Sequence, residues 1–173
     1  GMSSGAVCRG MSFDGATARV ERCFMWAPGS GSASEAVGLD VTRSVIELYS
    51  SWVLGGVGNN SIGIRARQPG TLYAAGNTVD LLGTVNQAWA LTCADPATTV
   101  YATSNLFGAG PSAASDRMVN GVAGCLDPLK FKNNYFWYAV QGGPRDVNDN
   151  VTLVALAATG VPDVRGNIIG DSV

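Results

Sequence analysis

Thr71-Leu-Tyr-Ala-Ala-Gly-Asn77-Thr-Val79 and Thr99-Val-Tyr-Ala-Thr-Ser-Asn105-Leu-Phe107 are one phrase written twice. In each, apolar residues alternate around a tyrosine, a small residue leads into an asparagine, and a new apolar residue follows. The two asparagines stand 28 positions apart, a period at which repetition signifies a solenoid or a propeller.

Weaker copies extend the pattern in both directions. Leu129-Lys-Phe131-Lys-Asn-Asn134-Tyr-Phe136 and Val164-Arg-Gly-Asn167-Ile-Ile169 keep the asparagine. Ile46-Glu-Leu48-Tyr-Ser-Ser51-Trp-Val53 and Ala18-Arg-Val20-Glu-Arg-Cys23-Phe-Met25 put Ser or Cys in its place. From Cys23 to Asn167 the steps are 28, 26, 28, 29 and 33 residues, so the unit is constant and the variation belongs to loops. Each unit also holds a short apolar strand ahead of the phrase, as at Gly38–Val41, Ile62–Ala66, Trp89–Cys93, Val119–Val122 and Val151–Leu156. Strands this short, alternating with period two and parted by Gly, Pro, Asn, Asp and Ser, do not read as helices. Three strands and three turns make one coil of a parallel β-solenoid.

These residues resemble the right-handed parallel β-helix proteins with pectate-lyase-like coils, from about Ser12 to Val173. The resemblance implies an all-β, single-stranded right-handed parallel β-helix of about five to six coils. It also implies that Asn77, Asn105, Asn134 and Asn167 form an inward asparagine ladder at the turn between second and third strands. Asparagine suits that corner because it tolerates left-handed geometry and its amide both donates and accepts between coils. Proteins of this kind bind or cut polysaccharides, as secreted lyases and hydrolases or as viral tail spikes that recognise host glycans. The expectation is therefore a polysaccharide-binding or polysaccharide-cleaving domain, extracellular or on a virion surface, with tail-spike-like recognition of a cell-surface glycan favoured. A structural or adhesive solenoid without activity is the alternative from another class.

With 46% hydrophobic and 14% charged residues and a net charge of −2, the chain has no basic footprint for nucleic acid. No apolar run approaches the length that crosses a bilayer. The chain lacks histidine, which excludes Ser-His-Asp and Cys-His nucleophile sites and histidine-based metal sites within it. No phosphate-binding or dinucleotide glycine spacing is present, so neither a metal nor a cofactor is expected. Cys8, Cys23, Cys93 and Cys125 lack zinc-site spacing. They read as buried thiols, with Cys93 and Cys125 placed to approach across neighbouring coils.

Residues 1–173 read as a single β-helix domain, a segment of a longer protein, with Gly1-Met2 a remnant of an expression vector. Met11–Gly15 reads as a strand and turn of an incomplete first coil. Residues 27–38, 108–118 and 141–150 read as loops, with one helical turn expected at Ser34–Val37.

On the second strand the inward set is Val20, Ile46, Leu48, Leu72, Val100, Leu129, Phe131 and Val164. Outward, Arg19, Glu47, Tyr73, Tyr101 and Lys130 form one column at about 4.8 Å per step, with Tyr49 beside it. Tyr73, Tyr101, Lys130 and Tyr49 are candidate saccharide contacts, since sugar ring faces stack on aromatic rings and hydroxyls meet charges. The same column also stabilises neighbouring strands without a ligand. Glu21 and Glu47, roughly 8 Å apart by strand geometry, are the candidate catalytic acid and base of a carboxylate-based lyase or glycosidase. A surface ion pair between Arg19 and Glu47 is the other use of these charges. Asp40 and Asp80 read as isolated carboxylates.

On the third strand Met25, Val53, Val79, Phe107, Phe136 and Ile169 point inward. The outward positions hold Phe24, Trp52, Thr78, Leu106, Tyr135 and Ile168, followed two residues on by Trp26, Leu54, Asp80, Gly108 and Trp137. Phe24, Trp52, Leu106, Tyr135 and Trp137 thus mark an interface. Copies of the chain are the expected partner, a trimer by resemblance to tail spikes. A covering loop at residues 108–118 is the competing explanation.

Overall fold

The computed structural model describes residues 6–29, 33–82, 84–109, 117–122, 125, 127–138 and 166–170. The chain winds through three parallel sheets in rotation. Sheet A contains β1 (Val7–Asp14), β4 (Glu35–Thr42), β7 (Gly58–Arg67), β10 (Thr84–Cys93) and β13 (Arg117–Gly121). Sheet B contains β2 (Thr17–Glu21), β5 (Val45–Tyr49), β8 (Gly70–Ala75), β11 (Thr98–Thr103) and β14 (Phe131–Lys132). Sheet C contains β3 (Phe24–Trp26), β6 (Trp52–Gly55), β9 (Thr78–Leu81), β12 (Leu106–Ala109), β15 (Tyr135–Tyr138) and β16 (Ile168–Gly170).

This is a β-solenoid of about 4 turns. Four full turns separate β1 from β13, because five strands in a sheet enclose four steps; the expected five to six coils correspond to the five or six strands per sheet. The pairing carries the sequence repeat directly: Leu72 lies beside Val100, Tyr73 beside Tyr101 and Ala74 beside Ala102.

The inward residues stack into one core running up the axis. Ile46, Leu48, Leu72 and Val100 of sheet B meet Val53, Val79 and Phe107 of sheet C and Leu39, Ile64 and Leu91 of sheet A, all buried. Phe107 and Phe136 stack at 5.4 Å between ring centroids. Leu129 departs from the expected pattern: it is 74% exposed, because the chain reaches β14 through a 3-10 turn at Pro128–Lys130 that swings this side chain outward. The helical turn expected at Ser34–Val37 is absent, since β4 already begins at Glu35. The expected strand at Val151–Leu156, the inward Val164 and the loop 141–150 lie outside the described residues.

Sheet A differs most from expectation. Its strands run to 8 or 10 residues in β1, β4, β7 and β10, well beyond the short apolar cores that marked them in sequence. A glycine column, Gly10, Gly38 and Gly63, runs up their middle. A Cβ on Gly38 would sit 2.8 Å from the Leu54 carbonyl oxygen, and one on Gly63 would sit 2.6 Å from that of Ala90. Neighbouring backbones therefore approach too closely for any side chain.

The corner between sheets B and C is built the same way in every coil. Arg22, Ser50, Gly76, Ser104, Asn133 and Gly166 all take positive φ, between 46° and 78°, which costs a non-glycine residue about 1–2 kcal/mol. Hydrogen bonds between coils offset that cost. Asn105 donates from Nδ2 to the Ala74 carbonyl (2.9 Å) and to Asn134 Oδ1 (3.1 Å), while its own Oδ1 accepts from the backbone and the amide of Asn77. Asn134 repeats the pattern toward Asn167. Where the asparagine stops, the ladder shrinks to fit: Ser51 Oγ donates to the Tyr49 carbonyl and accepts from the Cys23 backbone, and the Cys23 thiol donates to the Glu21 carbonyl.

Candidate functional site

On the outer face of sheet B the structure assembles the expected column. Arg19 pairs laterally with Glu47, Glu47 with Tyr73, and Tyr73 with Tyr101. The two tyrosine rings stack at 4.9 Å, 11° from parallel. Lys130 Nζ caps the Tyr101 ring at 5.3 Å and the Arg19 guanidinium lies over Tyr49 at 4.9 Å. Stacking turns the ring faces of Tyr73 and Tyr101 toward each other, so what they present to solvent is their edges and hydroxyls. Both stand more than a third exposed.

The two glutamates sit one coil and two residues apart, as the register requires. Their ion pairing differs from the expectation: Arg19 pairs with Glu21, two residues along its own strand, and not with Glu47. Alternation puts Arg19 and Glu21 on the same side of β2, so the pair forms within one strand. Glu47 has no ion-pair partner among the described residues.

The densest polar cluster lies on sheet A, and sequence reasoning missed it. Asp40, read as isolated, alternates with the core residues Leu39 and Val41 and therefore points away from the core, yet it is fully buried. Three arginines cover it. Its Oδ2 accepts from Arg9 Nε at 2.6 Å, Arg65 Nη2 at 2.8 Å and Arg67 Nη2 at 2.9 Å, and its Oδ1 accepts from Arg65 Nε at 3.2 Å. Arg65 also grips Glu35, and Arg67 Nε reaches Thr42 Oγ1 at 3.1 Å.

Burial pushes the Asp40 carboxyl up, but the hydrogen bonds from Arg65 and Arg9 and the charges of Arg65 and Arg67 outweigh it, holding the group below its ordinary range. Burial likewise lowers Arg65, and its bonds to Asp40 and Glu35 more than reverse this. The signal was available in part. Val41 aligns with Ala66 and Cys93 in the strand repeat, which sets Asp40 beside Arg65. Arg9 and Arg67 lie in the unforeseen extensions of the strands.

On sheet C, Phe24, Trp52, Thr78, Leu106, Tyr135 and Ile168 form one lateral row. Phe24 and Trp52 are 59% and 50% exposed and meet edge to face at 5.4 Å. Leu106 and Tyr135 are also exposed. The second row is less open than its sequence suggests: Trp26 is exposed, Trp137 is half-buried, and Leu54 and Gly108 are buried. Residues 110–116 of the proposed covering loop lie outside the described residues.

Cys93 and Cys125 do not remain thiols. They form a disulfide with their Cα atoms 6.1 Å apart, tying β10 to the segment after β13. Cys8 and Cys23 stand outside it.

Comparison with protein families, with curated proteins and with solved structures finds no match to this chain.

Proposed function

We propose that this chain is a glycan-recognising solenoid, of the pectate-lyase-like and tail-spike kind, that binds an extended polysaccharide along sheet B. The observation that carries the reading is the lateral column of Arg19, Glu47, Tyr73 and Tyr101, capped by Lys130, which reaches the Tyr101 ring from the 3-10 turn before β14 and not from a strand as expected. It offers charges, phenolic hydroxyls and ring edges at about 4.8 Å per strand, a spacing close to the length of one sugar residue. The side chains hold one another in place through stacking and cation contacts, so little conformational entropy is lost when a ligand lies across them. Binding is proposed without a reaction, because Glu21 is engaged by Arg19 and Glu47 stands on the same open face.

The apolar row of sheet C supports assembly with copies of itself, a trimer in keeping with tail spikes. Phe24, Trp26, Trp52, Leu106 and Tyr135 leave on the order of 500 Å² uncovered, at the upper end of what monomers expose. The disulfide supports an oxidising location, outside the cell or on a virion surface.

A glycan array with the purified protein tests the binding. The expected result is retention on at least one polysaccharide, reduced more than tenfold by Tyr73→Ala with Tyr101→Ala. No binding to any neutral or acidic polysaccharide at millimolar sites would instead favour a structural or adhesive solenoid. Light scattering at micromolar concentration tests assembly: a particle of monomer mass refutes it, and Trp52→Glu is expected to dissociate an oligomer.

A further inference from the structure

The Asp40 cluster holds three guanidiniums against two carboxylates. Arg9 comes from β1, Glu35 and Asp40 from β4, and Arg65 and Arg67 from β7, while the nearby Arg43 and Asp14 neutralise each other in a separate pair. The remaining lateral neighbours of Asp40 and Arg65, which are Ser12 and Thr92, carry no charge. Among the described residues one positive charge is therefore unmatched.

The crowding has a definite centre. Arg9, Arg65 and Arg67 all donate to the same oxygen, Asp40 Oδ2. Arg9 Nε and Arg67 Nη2 are therefore no further apart than the sum of their distances to it. A carboxylate oxygen has two lone pairs, so the third guanidinium is held near two like charges with a poorly matched acceptor. Arg65 is enclosed and uses Nε, Nη1 and Nη2 on Asp40 and Glu35. Among the described residues Arg9 bonds through Nε alone, and the side chains of Arg9 and Arg67 remain 37% and 42% exposed. Their unused N–H donors open toward solvent from positions fixed underneath by Asp40. Pre-set guanidinium forks over a surplus charge are the arrangement that captures an oxyanion.

We infer that the outer face of sheet A carries an oxyanion site, formed by Arg9 and Arg67 and buttressed by Asp40, that takes a sulfate, phosphate or carboxylate group. The anion arrives either free or as the pendant group of a saccharide. The site lies on a different sheet from the aromatic column and does not depend on it.

Sodium sulfate is titrated against sodium chloride at matched ionic strength, following the arginine Nε–H resonances and the melting temperature. The expected result is a saturable shift with sulfate, weakened at least tenfold by Arg9→Gln and by Arg67→Gln and unchanged by Arg43→Gln. Arg9→Lys, which keeps the charge but loses the fork, is expected to restore only part of the affinity. Equal responses to sulfate and chloride, a shift that does not saturate, or a full response in both glutamine variants would overturn the site. Glucose 6-sulfate and glucuronate, with glucose as the neutral control, identify the source. Competition with sulfate by either sugar supports a pendant group, and sulfate binding without such competition supports a free ion.

Discussion

Replacing Asn105 by Ala isolates what the ladder contributes. The side chain makes four hydrogen bonds: two donated to Ala74 O and Asn134 Oδ1, and two accepted from Asn77 N and Nδ2. Its removal leaves two buried groups without their partner, the Asn77 backbone N–H and one Asn77 amide N–H; the Ala74 carbonyl keeps its place in the β8–β11 ladder. Asn134 Oδ1 still accepts from the Asn105 backbone. At about 1–3 kcal/mol for each orphaned buried group, with some recovery through water in the vacated space, the loss comes to about 2–5 kcal/mol. Ser51→Ala is the internal comparison, since Ser51 Oγ makes only one donated and one accepted bond. It should cost about 1–2 kcal/mol. Urea unfolding followed by far-ultraviolet circular dichroism gives both values. If Asn105→Ala cost no more than Ser51→Ala, the ladder would be a by-product of the corner and not its support.

Three further outcomes follow from the geometry. The Asp40 carboxyl is held below its ordinary value, so its contribution is complete above the unfolded pKa, near 3.8, and is lost as pH falls through the lower folded value. Asp40→Asn should weaken the protein at neutral pH and flatten the part of the acid-unfolding curve below about pH 4. Reducing the Cys93–Cys125 bond, which closes 32 residues of chain, should lower stability by about 3–4 kcal/mol in the loop-entropy account, measured by urea midpoint with and without dithiothreitol. Gly63→Ala, whose Cβ would press on the Ala90 carbonyl, should cost about 1–3 kcal/mol or more. Gly15→Ala, with open space around it but φ of 66°, should cost about 1–2 kcal/mol through backbone strain alone; a Gly63→Ala protein that melts together with the unsubstituted one would contradict the close approach in sheet A.

Sheets B and C were legible because their signals are local. Tyr73 and Tyr101, or Asn77 and Asn105, occupy the same place in consecutive units, and parallel stacking converts sequence period directly into contact. Sheet A was legible only at its apolar centre. Arg9, Glu35 and Arg67 lie in stretches without the period-two alternation that marks a strand, so the sequence carries no sign that they converge on Asp40. The partner of Arg19 was misread for a related reason: Glu21 and Glu47 are both within reach, and register alone does not choose between them. Leu129 shows the limit of alternation, since a 3-10 turn one residue before a strand reverses where a side chain points.

The corner joining sheets B and C spans two residues in all five coils where both strands are described: Arg22-Cys23, Ser50-Ser51, Gly76-Asn77, Ser104-Asn105 and Asn133-Asn134. Along that edge the molecule keeps a ruler with one mark per turn. Chain length can be added or removed at the other two corners without moving any mark, and whole coils can be spliced in at the period of the marks. A sugar laid on one side of the edge and a neighbouring protomer on the other would both be measured against the same scale, so the loops could diversify while the two faces stay in fixed alignment.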